Sequence, residues 1–242
     1  MSGPPLPPAG RGTADHDSSW SAQLWAHLEP TYQAVLRHPF LTGLTEGTLA
    51  PASFAYFLAQ DSHYLHDYTR ALLAVGAKAP TSSDTAMFAR HAAGAVEVEL
   101  GLHATLLAGL GLDPGAAGGA GVEPTTRAYT SYLLATCYAG SFAEGLAAVL
   151  PCYWIYARVG AALVGKGSPH AQYQQWIDTY AADDFAVVVE EVLALVDRTG
   201  PTLGPGERER AQQHLSVTAR YEWMFWDAAH RRETWPQIGA EQ

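Results

Sequence analysis

The stretch PASFAYFLAQDSHYLHDYTRALLAVGA (residues 51–77) sets the pattern for the whole chain. One series of side chains recurs in it at 4-3-4-3-4 spacing: Phe54, Leu58, Asp61, Leu65, Tyr68 and Leu72. This spacing puts all of them on one face of an α-helix. Pro51 suits the first turn of such a helix, where a missing N–H costs nothing. The stretch therefore predicts an amphipathic helix.

Helical periodicity continues along nearly the whole chain, and no stretch alternates convincingly as a strand would. Helices are predicted over residues 19–41 (broken near Pro30), 51–77, 82–110, 124–138, 141–164, 169–180, 182–198 and 205–230. Ser141 and Glu144 form a capping-box pattern. Residues 1–18 hold two Pro-Pro pairs and almost no apolar anchors, so we expect a disordered tail there. The rest, residues 19–242, is expected to be one all-α domain.

Charge and composition exclude several kinds of partner. The 242 residues carry 14 Lys and Arg against 24 Asp and Glu, a net charge of −10, with no basic cluster to hold phosphates. Nucleic acid is therefore not an expected partner. No apolar run approaches the ~20 residues of a membrane span, and no secretory signal precedes the helices. The two cysteines make no disulfide framework, so reduced thiols in the cytoplasm are expected.

Asp61 is a carboxylate on the apolar face of the 51–77 helix. Its neighbours on that face point toward the core, where an unpaired carboxylate is very costly. Asp61 must then be hydrogen-bonded or face a polar ligand, and Tyr64 lies beside it. Both alternatives stay open at this point: a structural bridge to another helix, or a contact with a ligand.

Cys152 lies on a second stripe, followed by Tyr156 one turn later. Pro151 removes a backbone donor just before the thiol and predicts a kink that exposes the thiol to a cavity. The alternative is an inert structural residue, because most buried cysteines behave as small hydrophobes. Cys137 has no special context and is interpreted as structural.

Glu222 interrupts a strongly aromatic helix, with Tyr221, Trp223 and Trp226 around it. Removal from water in such surroundings would raise the pKa of Glu222, and a carboxyl group of that kind can carry protons near neutral pH. The alternative is an ion pair with Arg220 or Arg158.

Two carboxylate–histidine pairs at i, i+4 spacing, Glu99 with His103 and His63 with Asp67, are candidates for a di-iron site. The spacing departs from the Glu-x-x-His pattern of ferritin-like proteins, and such pairs are common on solvated helix faces. No metal site is therefore expected.

Several short runs occur in a fixed order along the chain: His38-Pro39-Phe40, Gly47-Thr48-Leu49, Phe54, Gln60-Asp61-x-x-Tyr64-Leu65, Gly140-Ser141-Phe142-Ala143-Glu144, Leu150-Pro151-Cys152 and Tyr221-Glu222. In order and spacing they resemble the cysteine-containing branch of the TenA family of thiaminase II-type enzymes. The resemblance covers about residues 20 to 230. It implies an all-α, haem-oxygenase-like helical bundle that assembles as a homotetramer, with no metal or organic cofactor.

The resemblance also implies roles for individual residues. It makes Cys152 the nucleophile, Asp61 the group that grips the aminopyrimidine edge, and Glu222 the proton shuttle. The implied pocket residues are Tyr64, Tyr129, Tyr156, Tyr180 and Phe225, with Tyr132 as the alternative to Tyr129. Ser62 is a departure, since many members have an aromatic residue after the Asp, so the pocket wall near Asp61 is expected to differ.

The implied reaction is hydrolysis of a 4-amino-2-methylpyrimidine at its 5-methylene, yielding hydroxymethylpyrimidine, in thiamin salvage or degradation. The leaving group stays open between ammonia, from an aminomethylpyrimidine, and a thiazole, from thiamin. Two alternatives are a di-iron or cofactorless oxidase on the same architecture and a non-enzymatic regulatory protein. The acidic charge argues against direct DNA binding by such a regulator.

Overall fold

A computed structural model describes residues 19–111 and 121–238, and within these ranges the chain is helical and has no strand. The elements are α1 (Trp20–Leu36), α2 (Pro39–Glu46), α3 (Pro51–Ala77), α4 (Ser82–Gly94), a π-helix (Ala95–Glu99), α5 (Leu100–Gly109), α6 (Pro124–Ala139), α7 (Phe142–Leu163), α8 (Ala171–Ala181), α9 (Asp183–Thr199), a 3₁₀ turn (Gly200–Thr202) and α10 (Pro205–Arg231). The all-α prediction is confirmed. The tail predicted over residues 1–18 lies outside the described residues.

The N-terminus of α7 is set by a local sequence pattern. The Ser141 hydroxyl accepts a hydrogen bond from the Glu144 amide at 3.3 Å, and the Glu144 carboxylate accepts one from the Ser141 amide at 2.7 Å. This is the capping box that the sequence predicted. Such caps stabilise a helix by about 0.5–2 kcal/mol. The helix then runs without interruption through Pro151 to Leu163.

The prediction for the first helix was wrong at both its break and its end. Helix α1 continues through Pro30, because this residue and Ala26, whose carbonyl loses its partner, are both exposed. The chain breaks instead before Pro39, which opens α2. His38 caps that helix, since its Nδ1 accepts a hydrogen bond from the Phe40 amide at 3.1 Å.

The helix predicted over residues 82–110 is divided by the π-helix Ala95–Glu99. A π-turn adds a single residue to a helical turn, so it leaves apolar periodicity almost unchanged and escapes detection from the sequence. Gly94 and Ala95, where α4 passes into the π-helix, line the main cavity. Segments of this kind are frequent at functional sites.

Helix α7 is the central element of the bundle. Sixteen of its 22 residues are buried, and it packs most extensively against α10. Gly160 lets α8 approach closely, since a Cβ at this position would overlap the backbone of Tyr180 and Ala181. Helix α7 is also long and apolar enough to cross a membrane, which the sequence analysis did not foresee, but 72% of its most apolar window is buried inside the protein. Helix α7 is therefore a core helix of the bundle.

Candidate functional site

A cavity of about 550 Å³ lies between α3, α4, α7 and α9, and the end of α8 also contributes to its wall. Four of the eight sequence-predicted site residues line it: Asp61, Cys152, Tyr156 and Tyr180. The inner half of the cavity is formed by these buried or half-buried residues. The outer half is formed by Arg90, His91, Asp184, Val188 and Glu191, of which Arg90 and Asp184 are exposed. Its volume falls within the usual range of about 300–1,000 Å³ for sites that bind small molecules.

Cys152 presents its thiol to the inner half of this cavity and is half-buried. It shares a side-chain hydrogen bond with Tyr68, whose hydroxyl also donates to the Val149 carbonyl at 3.0 Å. Cys137, by contrast, is fully buried away from the cavity, and burial raises its pKa to about 12. The two thiols therefore differ in accessibility as the sequence analysis expected.

Asp61 is buried, and its partner was not predicted. Its Oδ2 lies 3.0 Å from His103 Nε2, but neither atom makes a well-aligned hydrogen bond. His103 Nδ1 lies 3.2 Å from the Ser62 hydroxyl, which itself donates to the Leu58 carbonyl. Asp61 thus carries a buried carboxylate oxygen that lacks a good donor while the residue lines the cavity. A ligand N–H group would satisfy it.

Glu222 is buried, and Tyr129 is its hydrogen-bond donor, at 2.6 Å from the phenol oxygen to Oε1. Tyr64 in turn donates to the Tyr129 hydroxyl at 3.3 Å. Burial raises the pKa of Glu222 to about 8; the Tyr129 hydrogen bond opposes this shift and the charge of Asp61 adds to it. The raised pKa is the one its aromatic setting predicted.

The ion pair considered for Glu222 was wrong. The Arg158 guanidinium lies over the Trp25 ring, 4.7 Å from its centroid, and Arg220 is exposed. Neither arginine contributes to the pKa of Glu222, whose hydrogen-bond donor is the neutral phenol of Tyr129.

An aromatic layer lies behind the cavity lining. The Tyr64 ring is 5.8 Å from Phe225 and 4.9 Å from Tyr129, measured between centroids. Burial raises the pKa of Tyr64 and Tyr129 well above the usual value, so both remain phenols that can donate. Glu222, Tyr64, Tyr129 and Phe225 therefore form one connected group, although none of them belongs to the lining itself.

Tyr129 and Tyr132, the two alternatives from the sequence, have different surroundings. Tyr129 contacts Glu222 and Tyr64, whereas the Tyr132 hydroxyl lies 2.8 Å from His214 Nδ1. Tyr132 is half-buried and does not line the cavity. Its position one helical turn away from Tyr129 explains why the sequence could not separate them.

Residues of the outer half were not predicted from the sequence. His91 Nδ1 lies 3.2 Å from the Tyr153 hydroxyl, and His91 Nε2 lies 3.0 Å from Glu191 Oε2. These residues come from α4, α7 and α9, and their spacing along the chain carries no recognisable motif. Tyr68 could have been found, because it follows Tyr64 by one turn on the same face.

The pairs considered for a di-iron site do not assemble one in the part of the chain that the structure describes, where no three His, Cys, Asp or Glu side chains are suitably grouped. His103 lies against Asp61, and Asp67 forms an ion pair with Arg70 at 3.0 Å. The side chain of Glu99 lies outside the described residues.

Comparison with protein families identifies the family of this chain. Residues 25–232 match the model of the TENA/THI-4/PQQC family. The chain belongs to this family. A relative within the TENA/THI-4/PQQC family is the aminopyrimidine aminohydrolase of Bacillus subtilis, 35% identical over 198 residues, which are 82% of this chain and 84% of the relative. Another is the aminopyrimidine aminohydrolase of Halalkalibacterium halodurans, 34% identical over 226 residues, with 91% of this chain and 100% of the relative covered.

A longer relative is the thiamine biosynthesis multifunctional protein ThiED of Corynebacterium efficiens, 34% identical over 95% of this chain. The chain spans only 30% of that protein's length. Among solved structures, a TenA homologue from P. horikoshii OT3 is similar with a TM-score of 0.80 and 28% identity, covering 88% of this chain and 99% of that one. A domain from Shewanella denitrificans with a heme oxygenase-like fold is similar with a TM-score of 0.71 and 15% identity, covering 88% and 92%, which shows the fold alone. The predicted haem-oxygenase-like bundle is confirmed.

Proposed function

We propose that the protein hydrolyses 4-amino-2-methylpyrimidines at the 5-methylene, releasing hydroxymethylpyrimidine, in thiamin salvage or degradation. The observation that carries the proposal is that Cys152 and Asp61 line one cavity. One supplies a nucleophile and the other an unsatisfied acceptor for the exocyclic amine. Membership of a family with relatives named aminopyrimidine aminohydrolase supports the same substrate class.

In this proposal the Cys152 thiolate attacks the ring carbon next to the one that bears the methylene. The attack breaks aromaticity, and the electrons then expel the leaving group from the methylene. Covalent catalysis of this kind replaces one difficult displacement by easier steps. The half-buried position of Cys152 on the cavity wall supports the role, since a thiol inside the core could not reach a substrate.

Asp61 and the tyrosines hold the ring in register. The unsatisfied Oδ2 of Asp61 accepts a hydrogen bond from the 4-amino group, with His103 on the far side. The Tyr156 and Tyr180 rings, 4.8 Å apart between centroids, offer aromatic surface to a flat heterocycle. Fixing the ring in this way brings its electrophilic carbon to the thiol, which lowers the entropic cost of attack.

Glu222 supplies the proton that the ring nitrogen takes up when Cys152 attacks. A pKa of about 8 leaves much of this carboxyl group protonated at neutral pH. Glu222 lies behind the lining, and hydrogen bonds connect it to Tyr129 and Tyr129 to Tyr64, which supports a route for this proton toward the substrate. Phe225 packs on Tyr64 and keeps that layer dry.

The test is steady-state hydrolysis of 4-amino-5-aminomethyl-2-methylpyrimidine and of thiamin. Cys152→Ser should abolish turnover of both, and the matched variant Cys137→Ser should retain it, because Cys137 lies in the core away from the cavity. The ratio of the two kcat/KM values identifies the preferred leaving group. Near wild-type activity in Cys152→Ser would remove the nucleophile assignment, and no turnover by the wild type would remove the function.

We further propose that the protein acts as a homotetramer in the cytoplasm. The family resemblance supports the tetramer, and exposed apolar side chains such as Tyr138 (63% exposed) and Val187 (56%) are available for contacts between copies. Two cysteines that form no disulfide suit a reducing compartment. Light scattering on the purified protein measures the assembly, and a monomer mass would contradict the tetramer.

A further inference from the structure

Three side chains in the outer half of the cavity form a hydrogen-bonded series that the steps above do not use. His91, on α4, lies between Tyr153 on α7 and Glu191 on α9, at 3.2 Å and 3.0 Å. All three residues line the same cavity as Cys152. The His91 side chain is only 5% exposed, whereas that of Glu191 is 41% exposed. The series therefore runs from the cavity wall toward solvent.

The partners of His91 fix its tautomer. Glu191 offers carboxylate oxygens, so His91 Nε2 carries the hydrogen, and Arg90 lies 3.3 Å from the same carboxylate. Nδ1 of the neutral ring then accepts, and the Tyr153 hydroxyl donates to it. Burial lowers the pKa of His91 despite the opposing effect of Glu191, which favours the neutral ring. Tyr153 itself lines the cavity, so its phenol connects the cavity wall with His91.

We propose that the Tyr153–His91–Glu191 series activates the water that replaces the leaving group, an inference that rests on the hydrolytic function proposed above. The series ends at Glu191, whose side chain is 41% exposed, so it connects the cavity wall with solvent. Tyr153 contacts the water and is the catalytic residue of the series. His91 and Glu191 act through it as positioning residues that provide a destination for the proton.

The step balances in bonds and protons. The water oxygen bonds to the exocyclic methylene carbon of the covalent adduct, the exocyclic double bond moves into the ring, and the carbon–sulfur bond breaks. Its electron pair returns to Cys152 as thiolate, and the ring-nitrogen proton returns to Glu222. The water proton passes to the Tyr153 oxygen while the Tyr153 hydroxyl proton passes to His91 Nδ1. The imidazolium is stabilised by Glu191 until solvent takes the proton.

The experiment separates the two halves of the reaction. His91→Gln and Tyr153→Phe are mixed with the aminomethylpyrimidine, and ammonia, alcohol product and intact protein mass are followed from the first turnover. We expect a rapid release of ammonia equal to the enzyme present, a covalent adduct on Cys152, and a fall in kcat of roughly 100-fold. Azide should restore turnover and yield the azidomethyl product, since this anion needs no deprotonation.

The chain offers a matched control. His214→Gln and Tyr132→Phe alter another Tyr–His pair, 2.8 Å apart, that does not line the cavity. These variants should keep wild-type kinetics and accumulate no adduct. Glu191→Gln is a further, milder variant at an exposed position, and it should also accumulate adduct.

Two results would overturn the proposal. One is wild-type turnover in His91→Gln. The other is an equal loss of ammonia and alcohol with neither adduct nor rescue by azide, which is what a merely structural role would produce. Failure of the wild type to release ammonia is a different result, because it removes the proposed function itself.

Discussion

Tyr129 on α6 and Glu222 on α10 are joined by a hydrogen bond of 2.6 Å, in which the phenol donates to the carboxylate. Such a hydrogen bond is stronger when the carboxyl group is ionised. It stabilises the ionised form and so opposes the effect of burial on the pKa of Glu222. The donor that contacts Glu222 therefore also helps to set the pKa of this carboxyl group.

Tyr129→Phe should raise the pKa of Glu222 above its present value of about 8. If protonated Glu222 is the donor, activity falls as the pH rises through that pKa. In the variant this fall should move to higher pH by roughly one unit, the equivalent of ~1.4 kcal/mol. The measurement is kcat/KM against pH, with Tyr132→Phe as control. If the alkaline limb of the pH profile were the same in Tyr129→Phe and the wild type, the Tyr129 hydrogen bond would not set the pKa of Glu222.

Glu222→Gln should change the pH dependence of stability. The pKa of Glu222 rises from an ordinary value of 4.5 to about 8 on folding, so between these values the unfolded chain has lost a proton that the folded chain keeps. Stability from the protonated group is present below 4.5 and is lost as the pH rises toward 8. Gln titrates nowhere and avoids this loss, which is on the order of several kcal/mol.

Urea unfolding of the wild type and Glu222→Gln at pH 5 and pH 8 measures this effect. The free energy of unfolding of the variant, relative to the wild type, should increase between the two pH values. The same difference at both values would mean that Glu222 is ionised throughout in the folded state.

Gly160→Ala should displace the part of the cavity wall that Tyr180 forms. The new Cβ overlaps the backbone of Tyr180 and Ala181, so α8 must shift outward and carry Tyr180 with it. We expect a loss of about 1–3 kcal/mol in stability, as for other overpacked cores, and a raised KM. Gly165→Ala is the matched control, because a Cβ there meets nothing within 4 Å. Equal behaviour of the two variants would contradict the close approach of α8.

Iodoacetamide should distinguish the two thiols of the folded protein. Cys152 lines the cavity and should be alkylated, whereas Cys137 is fully buried with its pKa raised to about 12. Peptide mass spectrometry before and after unfolding measures each site, and an aminopyrimidine ligand should slow labelling of Cys152. Faster labelling of Cys137 in the folded state would contradict this arrangement.

Periodicity was a sufficient guide where a helix buries one wide face. Residues 51–77 were predicted as a helix, and α3 occupies Pro51–Ala77; residues 141–164 were predicted, and α7 occupies Phe142–Leu163. It failed at Pro30, where exposure makes a lost hydrogen bond tolerable, and at the π-helix, where the shift is a single residue. A local sequence pattern does not show whether water can replace a backbone hydrogen bond that a proline removes.

The candidate site also contains some residues that the sequence predicted and others that it did not. Asp61 and Glu222 were found because each places a carboxylate where its own helix calls for an apolar residue. The partners of these residues come from other elements: His103 from α5 and Tyr129 from α6. His91 and Glu191 are 100 residues apart and meet only because the fold places α4 and α9 beside the same cavity. Contacts of that kind follow from the tertiary fold.

Cys152 belongs to the most enclosed helix of the protein, while the outer half of the cavity is built from α4 and α9, each of which has an exposed face. A replacement in α7 would disturb the core on every side, whereas one on the outer face of α4 or α9 would disturb little. The core therefore holds the Cys152 thiol in place, whereas residues of the outer half can be substituted at little cost to stability. Substitutions at the outer half can therefore change which molecules enter the cavity while the position of the Cys152 thiol stays the same.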